Sequence, residues 1–340
     1  MKHKVPVKRL LLLLLALVLM ACVALPIPYY IEAPGSTIKL DTLVKVNDKK
    51  DKFSGSFSLT SVGIRQATVA TALFAKTQAF SDLVTKEELM GTASDDDYNR
   101  IQNFYMESSQ NNAITAALNL ADKPFKMDYL GVYVLAVEKN SAFYGKIKIG
   151  DTVVKVDSQP FKSSDDFMKY VQSKKVGDQV TITFLQDGKE KNVSGALMKL
   201  PSNGKAGIGI TLTDHTQVNS QEKVQFDVDN IGGPSAGLMF TLEIYQQLIK
   251  QDIRNGHEIA GTGTIDSQGN VGQIGGIDKK VVSASESGAE IFFAPADLEK
   301  KDTNTRDAIR AAKKIETKMK IVSVKTAQEA VDYLKKYIAQ

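Results

Sequence analysis

Val224-Gln225-Phe226-Asp227-Val228 alternates apolar and polar residues, and after Asp229-Asn230-Ile231 it runs into Gly232-Gly233-Pro234-Ser235-Ala236-Gly237 and then Leu238 to Lys250. The alternation is that of a strand, and the spacing of apolar residues in the last stretch predicts a helix. A strand therefore delivers a serine through a glycine-rich turn to a helix N-terminus. There the unpaired N–H groups and the positive end of the helix dipole can stabilise a developing oxyanion, an environment suited to acyl transfer. The backbone N–H groups of Gly232, Gly233 and Ser235 are the expected donors.

A serine hydroxyl is a poor nucleophile near neutral pH and needs a base. His257 is the only histidine downstream of Ser235. Gly233-x-Ser235-x-Gly237 fits a nucleophile elbow, whose triad runs serine, acid, histidine along the chain. His257 leaves little room for the intervening acid and reads as a surface residue. A lysine is the better partner. Ile259 to Thr264 reads as a strand into a turn, Asp266 to Asn270 as a hairpin connection, and Val271 to Ile277 as an extended piece ending before a helix from about Asp278. Lys280 sits in the first turn of that helix, beside Ile277, Val281 and Val282. Burial among such side chains disfavours the ammonium form and lowers a lysine pKa, so a neutral amine can serve as base. Helix geometry alone accepts either Lys279 or Lys280.

This pattern resembles the proteolytic domain of Lon proteases, which use a Ser-Lys dyad. The matching residues are Gly233-Pro234-Ser235-Ala236-Gly237, Thr262-Gly263, and Ile274-Gly275-Gly276-Ile277 with a lysine three residues after that isoleucine. The resemblance implies Ser235 as nucleophile, Lys280 rather than Lys279 as general base, and Thr262 hydrogen-bonding near the lysine. It continues through Ile291-Phe292-Phe293-Ala294-Pro295 and a Thr326-x-x-Glu329 capping box with an amphipathic helix to Tyr337. Weaker likeness in Glu32-Ala33-Pro34-Gly35 and from Gly55 to Ala75 suggests that the protease domain begins there. Two departures stand out. Gly232 occupies a place where ATP-dependent members usually carry an acid, and no G-x-x-x-x-G-K-[ST] phosphate loop occurs in the chain. An ATP-independent enzyme without a cofactor is expected.

Between these segments the texture changes. Val132, Val134 and Val137 lie in a strand pattern, Ile149-Gly150-Asp151 makes a turn, and Val153 to Val156 gives a second strand. Ser163 or Ser164 caps a helix through Gln172, and Gly177-Asp178 turns into the strand Val180 to Leu185. Tyr129-Leu130-Gly131-Val132, Ser141-Ala142 and Ile147 to Asp157 resemble a PDZ domain over roughly 129 to 199. Such a domain takes an extended peptide as an added strand and caps its carboxylate with backbone N–H groups. Leu130, Gly131 and Val132 are the residues expected to supply that loop. The likeness extends to membrane-bound PDZ and Lon-like proteases of Gram-positive bacteria, some of which mature a secreted peptide pheromone. A peptide or protein substrate, including a secreted signalling peptide, is the partner this implies, and Lon relatives also suggest a homo-oligomer.

At the other end, Leu10 to Ile31 carries no charge, and a helix of that length covers a hydrocarbon core of about 30 Å. Lys2, Lys4, Lys8 and Arg9 precede it and Glu32 follows, which puts the N-terminus in the cytoplasm, with Tyr29 and Tyr30 suited to the outer interface. A cleaved secretory signal, or a lipoprotein signal ending at Cys22, would reach the same compartment. The apolar run continues past Cys22, which favours a retained single-pass anchor with the catalytic part outside the cell. Those four basic residues also account for the net charge of +4; the remaining 39 basic residues balance 39 acidic ones, so there is no electrostatic footprint for nucleic acid. One cysteine and three histidines leave few ligands for a metal, and none is expected.

Elsewhere, Ser56 to Leu59 reads as a half-buried strand, Ile38 to Val46 as extended, Gln66 to Phe80 as a helix, and Asp95 to Leu120 as a helix with Tyr98, Ile101 and Tyr105 on one side. The expected whole is α+β: a basic cytoplasmic terminus (1–9), a transmembrane anchor (10–31), the first part of a Lon-type proteolytic domain (32–124), an inserted small β-rich PDZ domain (125–200), and the catalytic part with the Ser-Lys dyad (201–340).

Overall fold

The computed structural model describes residues 7–228 and 231–338. Lys2 and Lys4 of the basic cluster lie outside the described residues, as do Asp229 and Asn230 of the approach to Ser235.

Helix α1 (Val7–Ala24) has 18 residues, buries none of them, and is long and apolar enough to cross a membrane. It stops at Ala24, short of the expected end at Ile31. Pro26 and Pro28 have no amide hydrogen with which to continue a helix, and the chain passes directly into strand β1 (Pro26–Lys39). Tyr30 and Ile31 are consequently buried in a sheet instead of sitting at a membrane surface.

After β1 come a 3-10 turn, short strands β2 (Val44–Val46) and β3 (Lys49–Lys50), and the long strand β4 (Ser56–Thr68). The turn at Leu40–Thr42 interrupts the extended stretch expected over Ile38 to Val46. Helix α2 is only Val69–Ala75, because Gln66 to Thr68 remain in β4 and Thr68 caps the helix. Strand β5 (Asp82–Thr85) and a short helix α3 (Lys86–Met90) lead to α4 (Asp95–Leu120), capped by Ser94 with three aspartates in its first turn. Its buried face is Phe104, Met106, Ser109, Ala113, Ala116 and Ala117; Tyr98, Ile101 and Tyr105 are only half-buried.

An inserted unit follows: β6 (Phe125–Val137), β7 (Thr152–Val156), β8 (Gln159–Pro160), α5 (Ser164–Gln172), β9 (Gln179–Gln186), β10 (Lys189–Ala196), β11 (Met198–Lys199), β12 (Ala206–Gly207) and β13 (Ile210–Ser220). Its sheet has the order β10-β9-β7-β6-β13. Its own core contains Val132, Val134, Phe143, Val153, Phe167 and Ile182. The sheet reaches Ser220 and not the expected limit at 200, because β13 pairs antiparallel with β6 along nearly its whole length.

The remaining elements are β14 (Val224–Phe226), α6 (Gly237–Ile249), β15 (Glu258–Gly261), the hairpin β16 (Thr264–Ile265) and β17 (Val271–Gly272), α7 (Ile277–Glu286), β18 (Ile291–Pro295), α8 (Asn304–Lys314), β19 (Lys320–Val324) and α9 (Ala327–Ile338). A six-stranded mixed sheet runs β19-β18-β15-β4-β1-β5. Strands from before and after the inserted unit thus share one sheet, so β6 to β13 form an insertion within a single α+β domain. Alternate residues of the parallel strands serve two layers. Ile259, Ile291 and Phe293 join α4, α6 and α9 on one face; Ala260, Phe292 and Ala294 join α7 and α8 on the other. Strand β4 lies between these layers, which is why Ser56 to Thr60 are all buried and not alternately exposed. Ser58, in register with Ala260, faces the α7 side.

Arg254 ties α6 to the loop before β4. Its fully buried guanidinium donates to Asp51 Oδ2 at 2.5 Å, to Glu243 Oε2 at 3.3 Å and to Phe53 O at 3.0 Å. Burial, with Asp51 adding to it, pushes the Glu243 carboxyl up to about 7 while Arg254 pulls it down. Removing the cation leaves two buried carboxylates unpaired, so Arg254→Ala is expected to lower unfolding free energy by about 3–5 kcal/mol, measured as a lower urea midpoint.

Candidate active site

Ser235 stands in the turn between β14 and α6. Gly233 has φ +87°, a left-handed conformation in which a side chain is strained. The turn is fastened from two sides. Gly233 N–H donates to Gln102 O at 3.0 Å and Ser109 Oγ donates to Pro234 O at 3.0 Å, both from α4. The Ser235 carbonyl accepts Gly263 N–H at 2.9 Å and Thr262 Oγ1 at 3.0 Å. With its backbone held from both directions, the Ser235 side chain has a defined place from which to act.

Lys280 reaches it from α7. That helix begins after Gly276, whose φ of +66° suits glycine and whose missing side chain avoids Val62. Lys280 is buried, and its Nζ lies 2.8 Å from Ser235 Oγ and 2.8 Å from Thr60 O. Desolvation alone brings its pKa down to about 7. A neutral amine there donates one N–H to Thr60 O and offers its lone pair to the Ser235 O–H. Lys279, left open as an alternative by helix geometry, turns the other way and pairs with Asp82 at 2.5 Å and Asp278 at 3.5 Å. Its pKa is raised: these partners outweigh a desolvation that acts in the opposite sense. His257 bonds Glu290 at 2.8 Å, as a surface residue would.

The dyad opens into a cleft of about 770 Å³, lined in part by Thr60, Val62, Ile64, Gln102 and Met106. One wall is a strand edge. Strand β15 pairs with β4 only from Ser56 to Leu59, whereas β1 pairs along the other side as far as Thr68. Thr60 to Ile64 therefore have no strand partner on the cleft side among the described residues, and an extended peptide fits such an edge.

In the inserted unit, Leu130, Gly131 and Val132 do not form a carboxylate loop. They lie inside β6, with Val132 opposite Val153 of β7 on one side and Asp214 of β13 on the other. A side chain at Gly131 would collide with Val153 O at 2.4 Å, so strand crowding explains that glycine. The open edge belongs instead to β13, next to α5. A groove of about 590 Å³ lies between them, lined by Phe167, Met168, Val171, Ile208, Ile210 and Leu212. At its end, the N–H groups of Ile208 and Gly209 meet no acceptor among the described residues.

Residues 227–336 match the family profile of the Lon protease (S16) C-terminal proteolytic domain, and residues 112–197 match that of the PDZ domain. The chain carries a Lon-type proteolytic domain and a PDZ domain. Among curated proteins, it is 33% identical over 126 residues to the Lon protease of Ureaplasma parvum serovar 3, a stretch that is 36% of this chain and 16% of that one. It is 35% identical over 102 residues to the Lon protease of Metamycoplasma arthritidis, 30% of this chain and 11% of that one. The chain thus spans about a sixth or less of the curated relatives it matches. Among solved structures, the PDZ domain of the SdrC-like protein from Listeria monocytogenes is 38% identical, covering 26% of this chain and 92% of that one, with a TM-score of 0.25. The corresponding domain from Listeria innocua is 40% identical, covering 25% and 96%, with a TM-score of 0.24.

Within the Lon-type domain, two expected contacts are rearranged. Gly233 N–H, expected to face an oxyanion, is occupied by Gln102 O; Gly232 and Ser235 N–H meet no acceptor among the described residues. Thr262 holds the Ser235 carbonyl and makes no bond to Lys280. The partner that Lys280 does use, Thr60 O, is a backbone carbonyl 220 positions away, for which no residue type could have been a signal.

Because the folded pKa of Lys280 lies below the unfolded value, burial costs stability fully below about pH 7, and the cost is relieved as pH rises toward about 10.4. Lys280→Met is expected to unfold at higher temperature than the parent at pH 6, with the gap narrowing by pH 10. A gap that does not change with pH would show that the ammonium is not desolvated.

Proposed function

We propose that the protein is a membrane-tethered, ATP-independent serine endopeptidase that uses Ser235 and Lys280 on exported peptides or proteins. The reading rests on the 2.8 Å approach of a buried, charge-averse lysine amine to a serine hydroxyl at a helix N-terminus. As Ser235 Oγ attacks the scissile carbonyl carbon, Lys280 takes its proton; the ammonium returns that proton to the departing amine and leaves an acyl-enzyme. Lys280 then removes a proton from water, which attacks the ester, and delivers it to Ser235 Oγ as the acid product leaves. The N–H groups of Gly232 and Ser235 stand as oxyanion donors. The open edge of Thr60 to Ile64 orders the substrate main chain beside them.

Lys8 and Arg9 in the first turn of α1, ahead of its uncharged stretch, and Glu32 after it support a cytoplasmic N-terminus, with both folded units on the outer side of the membrane. The PDZ groove between β13 and α5 takes an apolar chain end, with its carboxylate at Ile208 and Gly209 N–H. A secreted signalling peptide would suit both location and groove.

Purified protein, given secreted peptides without ATP, is expected to yield defined fragments by mass spectrometry. Ser235→Ala and Lys280→Ala should each reduce turnover by about 10³-fold or more. Cleavage kept by both variants would falsify the dyad; no cleavage by the parent would leave a PDZ adaptor in its place. The parent's kcat/KM should rise with pH and level off above about 7, where Lys280 becomes neutral.

A further inference from the structure

Helix α4 touches both folded units. Toward the PDZ domain, Asn111 binds the backbone of β13 twice, its Nδ2 donating to Thr216 O and its Oδ1 accepting Val218 N–H, each at 3.2 Å. Phe104 stacks on Tyr133 of β6 with ring centroids 3.6 Å apart, and His215 of β13 stands edge-on to both rings. Toward the nucleophile, Gln102 O holds Gly233 N–H, Ser109 Oγ holds Pro234 O, and Asn112 Nδ2 donates to Ile265 O at 3.0 Å. Ser109 and Asn111 are two residues apart, about 3 Å along the axis and on nearly opposite sides of one helix. The strand that Asn111 grips is also the one whose free edge borders the PDZ groove, through Ile210 and Leu212.

We propose that α4 mechanically couples the PDZ groove to the Ser235 turn, with Ser109 and the Gln102 carbonyl positioning the nucleophile and Asn111 tying that position to β13. This rests on the reading of Ser235 and Lys280 as a catalytic dyad. A chain end added to the free edge of β13 loads the strand held by Asn111. Displacement of α4 then reaches Pro234 and Gly233 directly, through two hydrogen bonds. It also governs whether Gly233 N–H stays with Gln102 O or turns to an oxyanion, so the effect falls on the chemical step more than on substrate binding.

The test uses the full-length protein in detergent and a short internally quenched peptide with an amidated C-terminus, which offers the PDZ groove no carboxylate. Ser109→Ala and Asn111→Ala are each expected to lower kcat about five- to tenfold with KM unchanged within about twofold. Both should also slow labelling of Ser235 by a fluorophosphonate. Asn111→Asp keeps the acceptor for Val218 N–H but sets a carboxylate oxygen against Thr216 O, so it should lower kcat at least as far as Asn111→Ala; Asn111→Gln, which keeps both donor and acceptor on a longer arm, should fall between parent and Asn111→Ala and decides the matter should the alanine variant not fold. Parental kcat and labelling rate in the Asn111 variants, with only a lower melting temperature, would make the contact a plain structural joint and overturn the coupling. A parent enzyme that neither cleaves the peptide nor is labelled at Ser235 would overturn the dyad itself, a result distinct from an active parent with indifferent variants.

Discussion

The site depends on one unfavourable act, the burial of a lysine amine that no carboxylate among the described residues compensates. Desolvation lowers the pKa of Lys280, and its polar neighbours among the described residues are a backbone carbonyl and the Ser235 hydroxyl. A carboxylate in hydrogen-bond reach would hold the amine protonated and remove the basis for the proposed role of Lys280 as a base. The neighbouring Lys279 shows the contrast: two aspartates keep it charged. Adjacent positions on one helix turn are thus given opposite chemistry by what faces them.

That burial requires several parts of the chain to converge. Strand β4 brings Thr60, α7 brings Lys280, and the turn before α6 brings Ser235, while α4 and the Thr262-Gly263 segment clamp the turn from opposite directions. Strand β4 comes from before the PDZ insertion, and the elements that carry Lys280 and Ser235 from after it. The mixed sheet is what makes the insertion tolerable: β15 lies parallel beside β4, so the interruption of nearly a hundred residues leaves the hydrogen-bond ladder whole. The PDZ unit, in turn, rests on the helix that immediately precedes it, so it is connected to the Ser235 turn by contact as well as by covalent linkage.

Local features were well foretold by sequence. Helix α4 has its anticipated limits because Ser94 and three aspartates mark its start, and β18 and the helix after Ser163 follow equally plain signals. Errors arose where a neighbour decided the outcome. Ser56 and Ser58 look solvent-facing by alternation, but a second helical layer covers them. Leu130-Gly131-Val132 has the composition of a ligand loop, yet it runs inside β6, where β13 pairs with Gly131 and Val132 and β7 also takes Val132. The true groove edge, β13, lies beyond the expected boundary because strand pairing joins residues distant in sequence.

From residue order alone come the serine at a helix N-terminus, the lysine in the first turn of a later helix, the apolar stretch near the start and the absence of a phosphate loop, since each depends on neighbours within a few positions. Only the folded chain settles which lysine is desolvated, which N–H groups are already paired and which strand edge stays open. Those properties follow from desolvation and hydrogen-bond pairing, and both are determined by groups that meet only when distant segments pack.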